Sequence, residues 1–369
     1  MTSSLAAILD GSDRSPRATL IRTALLPLEG LHRLGLAVYL LPFQIGLRRR
    51  HRLSVPVVSI GNLASGGTGK TPMTVAVAGL LRDMGMRPVV LSRGHGGSHE
   101  RERGALVVSD GGPVPCATPE RAGDEPVLIA RALPGVPVVV GRDRRVTGSY
   151  AIKRFSPDVL LLDDGLQFWQ LHRDLDICLL DTRRPFDNGH LIPRGLLREP
   201  AFHLRRAGAV VLTRYARAST VQQSRARGWV GQNAPDALLL AGDHAPIGWV
   251  DGSGHVEPAE WVNGKAVRVL TGIADGAGFV ETVRGLGAIV ADAHIHPDHH
   301  GFTDDDIRAA ANSTVDAVVV TEKDAVKLAD RWPENAPPLW VLRIALRLDN
   351  PDALRDLLGR ACSRPGSRG

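Results

Sequence analysis

At 369 residues the chain exceeds one average domain, and 43% apolar with 23% charged residues is the composition of a soluble globular protein with a sizeable core. Three cysteines, Cys116, Cys178 and Cys362, form no metal-like spacing, and their odd number argues against a disulfide framework; a reducing cytosol is the natural setting. The net charge of +6 points to an acidic partner: anionic lipid, phosphorylated substrate or nucleic acid.

Residues 1–18 are polar and read as loose. From Thr19 the sequence turns apolar, TLIRTALLPLEGLHRLGLAVYLLPFQIGLRRRHR. Its longest uncharged stretch, Leu34–Leu47, has 14 residues and is interrupted by Pro42 and Gly46. That is short for a membrane-crossing helix, which needs ~20 apolar residues. A secretory signal is excluded as well, because no small-residue cleavage site follows and the arginines come after the apolar part. Two readings remain. One is an interfacial segment, with Leu and Tyr in the headgroups and Arg48, Arg49, Arg50 and Arg52 on anionic phosphates. The other is an ordinary helix packed on the core with a solvated basic end.

Next comes Val55–Pro72, VPVVSIGNLASGGTGKTP, which reads as a phosphate-binding P-loop. Val55–Ile60 predict a buried strand and the residues from Thr71 a helix, the setting the motif needs. Gly66, Gly67 and Gly69 let successive N–H groups face a phosphate at a helix N-terminus, although Ala64 stands where the strict pattern has its first glycine. Gly61, Asn62, Leu63, Ala64, Ser65, Gly66, Gly67, Thr68, Gly69, Lys70 and Thr71 are therefore candidate ATP-binding residues. Lys70 would reach the β- and γ-phosphates, and the Thr71 hydroxyl would hold Mg²⁺.

Downstream, β-rich runs alternate with helical ones: Pro88–Leu91, a helix over Asp124–Leu133, Val136–Val140, a helix near Asp143–Arg154, Val159–Leu162, Asp176–Leu180 and Ala209–Leu212. Such alternation predicts a parallel, doubly wound α/β sheet. Ala216–Gly254 reads as a helix followed by connections. A second series has strands at Val267–Leu270, Ala317–Thr321 and Trp340–Arg343, helices from Gly276 and Thr303, and a closing helix Asp352–Leu358. The tail CSRPGSRG reads as disordered. The expected organisation is an interfacial segment over 1–52, a P-loop domain over 53–210, a smaller α/β domain over 211–350, and a closing helix and tail over 351–369.

Leu160–Gly165, LLLDDG, is an apolar strand ending in two aspartates, the shape of a Walker B element whose Asp163 and Asp164 could hold Mg²⁺; an Asp-Asp-Gly turn is the plain alternative. Ser92–Gly97 and Gly123–Pro126 follow, the second offering Asp124 either as a helix N-cap or as a base for an attacking hydroxyl. Loops at strand C-termini converge where an open α/β sheet binds its ligand. Arg183, Arg184, Arg194 and Arg198 cluster in DTRRPFDNGHLIPRGLLREP, where Arg198, beside Glu199, is the candidate to stabilise a transferred phosphoryl group. His294, His296, His299 and His300 crowd with Asp298 into HIHPDHHGF, suggesting a metal site or an Asp-His pair for proton transfer. Thr321-Glu322-Lys323-Asp324 reads as an ion-paired turn at a strand end.

In this order the motifs GNLASGGTGKTP, SRGHGG, GDEP, VVVGRDR, DVLLLDDGLQ, HRDLDI, NGHLIPRGLLREP, HPDHHGFT and VVVTEKDAVKL resemble the tetraacyldisaccharide 4′-kinase family, the lipid A 4′-kinases, over about residues 20–330. Each motif is short, but their collinearity behind a P-loop is specific. Where the family usually has an aromatic residue and a histidine after Asp-Asp-Gly, this chain has Leu166 and Phe168, and Leu196 replaces a common proline. The resemblance implies two Rossmann-like lobes around a cleft, the first a P-loop NTPase-type doubly wound parallel sheet and the second a smaller α/β lobe. It implies Mg²⁺-dependent transfer of the γ-phosphoryl group of ATP to the 4′-hydroxyl of an acylated glucosamine disaccharide 1-phosphate. Carried over, Asp124 is the base with His299 as partner, and Lys70 and Thr71 bind phosphates and Mg²⁺. Asp163 and Asp164 serve the Walker B role, and Arg198 with Glu199 lies near the transferred group, Glu199 as a further metal ligand. The implied partners are a lipid substrate and an anionic membrane surface rather than nucleic acid, at the cytoplasmic face of the inner membrane. Two rivals are a partition-type or cluster-scaffold P-loop ATPase, which usually carries a lysine where this chain has Ser65, and a kinase for a soluble sugar or nucleoside.

Overall fold

A computed structural model describes residues 5–9, 11–298, 300–312 and 314–363. It opens with three helices, α1 (Leu5–Leu9), α2 (Pro16–Ala24) and α3 (Leu26–Gln44), followed by β1 (Val57–Asn62), α4 (Lys70–Asp83), β2 (Pro88–Ser92) and β3 (Leu106–Asp110). Then come α5 (Pro119–Ala122), α6 (Asp124–Ala132), β4 (Pro137–Val140), α7 (Arg144–Phe155), β5 (Val159–Asp163), β6 (Leu175–Asp181), β7 (Ala209–Thr213) and α8 (Thr220–Asn233). The second half holds β8 (Leu238–Asp251), β9 (Val256–Glu257), β10 (Ala266–Thr271), α9 (Gly276–Gly285), β11 (Ile289–Ile295) and α10 (Asp304–Ala311). It closes with β12 (Ala317–Thr321), α11 (Glu322–Leu328), β13 (Leu339–Leu348) and α12 (Pro351–Cys362).

The strands make one mixed, mostly parallel sheet in the order β11-β10-β12-β13-β8-β7-β6-β1-β5-β2-β4-β3, with β9 paired to β8. β1, β2, β5 and β7 are buried at every position, as expected of parallel strands covered by helices on both faces. On one face α4 and α6 pack their Met73, Val77, Leu81, Val127 and Ile129 against Val58, Ile60, Val90 and Leu161. The helices are started by local chemistry: Asp143, Ser219, Asp275, Thr303 and Asn350 each accept a backbone N–H from the first turn of the following helix.

The sheet is not interrupted at residues 210–211. β7 pairs with β6 on one side and with Leu238–Gly242 of β8 on the other, so α8 and the start of β8 continue the first lobe. The crossing is made by β8 and β13, an antiparallel pair whose register runs from Trp340 opposite Asp251 to Leu348 opposite Gly242. α12 then returns to the first lobe, where Leu354 and Leu358 enter the same core as Val77 and Leu81.

Besides the two-residue β9, three described strands escape a reading by pattern. β3 shifts register against β4 between Val107 and Ser109, β8 carries Gly242, Asp243 and Pro246 inside it, and β11 lies exposed at the sheet edge without a continuous apolar face. Nor are the described residues before Thr19 loose. Arg22 ties α2 to α1 by donating its guanidinium to the Ile8 and Asp13 carbonyls, and the Asn188 amide holds α1 by donating to Leu9 O. The tail beyond Ser363 lies outside the described residues.

Candidate active site

β1 runs into the middle of the sheet between β5 and β6, and the chain turns through residues 63–69 into α4. Gly66 and Gly69 adopt φ of 124° and 87°, and a Cβ on Gly69 would stand 2.8 Å from His244 Nε2, so both backbone and space require glycine there. The loop is held from three sides. The Asn62 amide donates to Thr68 Oγ1 at 2.8 Å, the Ser65 N–H donates to Leu196 O at 2.7 Å, and Arg214 donates to Gly67 O at 2.7 Å while gripping Asp181 at 2.5 Å. Ser65 to Thr71 line the cleft. Gly61, Leu63 and Ala64, expected to bind ATP, are buried beneath it instead. Gly61 faces Leu166 so closely that a Cβ would stand 2.7 Å away, and Leu63 packs with Ala64, Cys178, Leu180 and Leu212. Asn62 shapes the loop through Thr68 and, through Oδ1, accepts from Lys70 Nζ at 3.5 Å and from Arg198.

Asp163 and Asp164 end β5 beside Lys70. Asp163 is buried and accepts from Thr74 Oγ1 at 3.2 Å and Ser92 Oγ at 3.0 Å. Burial, with Glu125 and Asp164 nearby, pushes its carboxyl well above the usual range. Burial also opposes ionisation of Asp164, but Lys70 and Arg198 outweigh it and hold this carboxylate below its ordinary value. Arg198 grips both Asp164 oxygens at 2.9 and 3.0 Å. Thr71, Asp163, Asp164 and Glu125 thus present hard oxygen donors to one side of the cleft, three of them carboxylates that burden one another with negative charge. A magnesium ion fits that donor set.

Glu199 does not belong to it. Its carboxylate is 1% exposed and committed to Trp169 Nε1 at 2.7 Å, His203 Nδ1 at 2.9 Å and Arg206 at 2.7 Å. Those donors hold it ionised against its burial, with the His203 hydrogen bond the largest of them. The expected metal-ligand role is corrected to a structural one, because no oxygen is left facing the phosphate loop.

Asp124 stands across the cleft at the first turn of α6. The N-cap is Gly123, at φ 90°, so the capping alternative for Asp124 falls away. Gly97 and Gly123 explain the glycines of both loops: a Cβ on Gly97 would lie 2.5 Å from Gly123 N, and one on Gly123 would lie 2.5 Å from His95 O. The loops after β2 and before α6 therefore interlock backbone to backbone. Asp124 Oδ2 is met by Lys327 Nζ of α11 at 2.9 Å, a contact between the two halves of the sheet.

His299 lies outside the described residues. Its neighbours are engaged. His294 pairs with Asp292 at 3.0 Å and His300 with Asp306 at 2.9 Å, and His296 stacks on His300. His296, His300 and Asp306 each bring a donor atom within 4.8 Å of the others, although Asp306 also closes the capping box of α10. The turn at Thr321–Asp324 is polar and paired: Lys323 meets Asp298 at 2.9 Å, and buried Asp324 accepts from Thr271, Thr321 and the Gly272 N–H. Among the other loop arginines, Arg183 pairs with Asp181 and Arg194 with Glu29.

Arg144 was missed as a separate candidate, although it lies in the VVVGRDR motif. It is 4% exposed, opens α7, and lays its guanidinium 5.5 Å over the Phe168 ring in the cleft wall. Burial lowers its pKa to about 10, which leaves it charged at neutral pH beside Asp164 and Asp163. His244 was also missed. Its strand did not read as a strand, and its imidazole touches the phosphate loop at Gly69, held neutral by burial and by Arg214 at a pKa of about 4.

The whole cleft holds about 880 Å³. One end is the phosphate loop and its charges, and the rest is walled by Val75 and Leu128 on one side and Ile273, Phe279, Leu342 and Ile344 on the other. Such a site can bind a polyphosphate at a helix N-terminus, hold a divalent cation, and place a carboxylate opposite.

Outside the cleft, α2 and α3 turn Leu20, Leu28, Leu31, Leu34, Val38 and Leu41 to solvent, each about half exposed or more. The opposite side of α3 packs Leu40 and Phe43 on Trp169, and Arg48 and Arg50 stack on Phe43 and Trp169. Among the described residues no single helix is long and apolar enough to cross a membrane; α2 and α3 together pass that test only as a pair bent by about 40°.

A family model described as tetraacyldisaccharide-1-P 4′-kinase matches residues 21–363. The tetraacyldisaccharide 4′-kinase of Anaeromyxobacter sp. strain Fw109-5 is 42% identical over 359 residues, 96% of this chain and 95% of that protein. The one from Pelobacter propionicus is 39% identical over 370 residues, 97% of this chain and 99% of the relative. The crystal structure of LpxK from Aquifex aeolicus in complex with ATP matches with a TM-score of 0.75 at 30% identity, covering 92% of this chain and 99% of that one. Likeness of that extent covers nearly the whole chain, and the chain belongs to the tetraacyldisaccharide-1-P 4′-kinase family.

Proposed function

We infer that this chain transfers the γ-phosphoryl group of ATP to the 4′-hydroxyl of tetraacyldisaccharide 1-phosphate, a step of lipid A biosynthesis. The observation that carries it is the cleft that sets Lys70 and Thr71 at the head of α4, beside Asp163 and Asp164, across from Asp124.

In this reading the N–H groups of Gly66 to Thr71 and the Lys70 ammonium bind the β- and γ-phosphates, fixing the γ-phosphorus for in-line attack. Thr71, Asp163 and Asp164 would hold Mg²⁺, which when bound neutralises phosphate charge and orients the nucleotide. The Asp124 carboxylate accepts the proton of the 4′-hydroxyl as the oxygen attacks, with His299 as its partner. Arg198, anchored on Asp164 and Asn62, is within reach of the charge that develops on the transferred group. Water is kept from the γ-phosphate by closure of the second lobe, which already touches the first through Asp124 and Lys327.

The acceptor keeps its acyl chains in a bilayer. The exposed leucines of α2 and α3 with the arginines that follow support a peripheral position on the inner membrane, at its cytoplasmic face where ATP is available. Incubating the purified protein with γ-labelled ATP, Mg²⁺ and tetraacyldisaccharide 1-phosphate in detergent micelles should label the lipid. Absence of lipid labelling, or labelling that persists at full rate in Asp124→Asn, overturns this assignment of reaction or base.

A further inference from the structure

We propose that Lys327 is a positioning residue for the phosphoryl transfer, locking the Asp124 carboxylate toward the acceptor and joining it to the backbone at His300. The inference rests on Asp124 being the base. Its grounds are geometric.

Lys327 sits on α11, in the lobe opposite the phosphate loop, with its side chain only 14% exposed. Nζ meets Asp124 Oδ2 at 2.9 Å and also donates to the His300 carbonyl at 3.1 Å. One ammonium therefore bridges the first turn of α6 and the backbone at His300. The bridge is supported from behind, since α11 is pinned at its start by Asp324, whose carboxylate accepts from Thr271, Thr321 and the Gly272 N–H. A carboxylate at the first turn of a helix, unanchored, samples several rotamers. With one oxygen held by Lys327, the other is free to take the hydroxyl proton, and the two lobes must be together for this to happen. Lys327 so couples closure of the cleft to readiness of the base.

The test is steady-state kinetics of Lys327→Met and Lys327→Arg with ATP, Mg²⁺ and tetraacyldisaccharide 1-phosphate in micelles. Lys327→Met should lower kcat about 10²-fold with little change in KM for ATP. Lys327→Arg should restore most of the rate. On an Asp124→Ala background, Lys327→Met should cost almost nothing further, because it acts through Asp124. A full additional loss on that background, or an unchanged kcat in a folded Lys327→Met protein, overturns the proposal. Should Asp124→Ala itself keep full activity, the base assignment fails instead, and the two failures are told apart by that one control.

Discussion

At the scale of single residues, the cleft separates groups that face its interior from groups that hold its walls. Lys70 and Thr71 line the interior, and among the described residues Lys70 reaches only as far as Asn62 Oδ1, at 3.5 Å. Lys70→Ala or Thr71→Ala should therefore abolish phosphotransfer while leaving thermal unfolding nearly unchanged, measured by labelled-lipid formation and by Tm. Full activity in either folded variant would remove the phosphate loop from the mechanism. Glu199 behaves oppositely. Its alanine variant leaves His203 and Arg206 without their buried acceptor, so it should lose about 3 kcal/mol of stability in a urea titration. If Glu199→Ala unfolds like the parent and loses only Mg²⁺-dependent activity, Glu199 is a ligand and our structural assignment is wrong.

At the scale of elements, α3 does two things. Its outer face is a row of solvent-facing leucines and valine followed by arginines, and that face should bind anionic bilayers peripherally, each near-surface arginine adding ~1 kcal/mol at low salt. Flotation with anionic liposomes should recover the protein at low salt, less at high salt, and much less for Leu34→Ser combined with Val38→Ser. Equal flotation of that variant would place the membrane contact elsewhere, and resistance to both high salt and alkaline carbonate would mean the segment is integral. The inner face carries Glu29, which is buried and accepts from the Leu191 N–H at 3.1 Å, with His190 and Arg194 beside it. Burial opposes its ionisation, yet the Leu191 N–H, His190 and Arg194 together hold its pKa below the usual value. A lowered carboxylate pKa stabilises the fold above the unfolded value, and the gain disappears as pH falls through the folded one. The Tm gap between the parent and Glu29→Gln should thus narrow as pH drops from about 7 toward about 3. A gap independent of pH would show that the charge of Glu29 contributes nothing to docking α3.

At the scale of the whole molecule, one sheet passes through both lobes, and the chain crosses twice, outward on β8 and back on β13. The returning helix α12 then fills the first lobe with Leu354 and Leu358, both fully buried against the core of α4. Leu358→Ala should cost about 2–5 kcal/mol in chemical unfolding, and the loss should appear in the phosphate-loop lobe although the mutation is near the C-terminus. Hydrogen exchange would localise it. Faster exchange in β10–β12 with α4 and β1 unaffected would contradict this division of the fold.

Periodicity and motif order were enough for the strand–loop–helix that ends in Lys70 and Thr71, the two aspartates at the end of β5, the buried parallel strands and the family. Each of these depends on residues close in sequence, or on runs apolar enough to be covered on both faces. What pattern could not reach depends on distant partners. β8 has Gly, Asp and Pro inside it and becomes a strand because β7 and β13 pair with it along its length. Arg144 and His244 are ordinary polar residues until folding buries them beside Asp164 and Gly69. Glu199 lies next to Arg198 in sequence, yet the two side chains serve different places, one facing Asp164 and the other locked under Trp169. The pairing of Asp124 with Lys327, across more than half the chain, exists only because β8 and β13 bring the second lobe over the first. Local chemistry determined which reaction this chain is equipped for; only tertiary contact decided which of its many charged residues stand where that reaction happens.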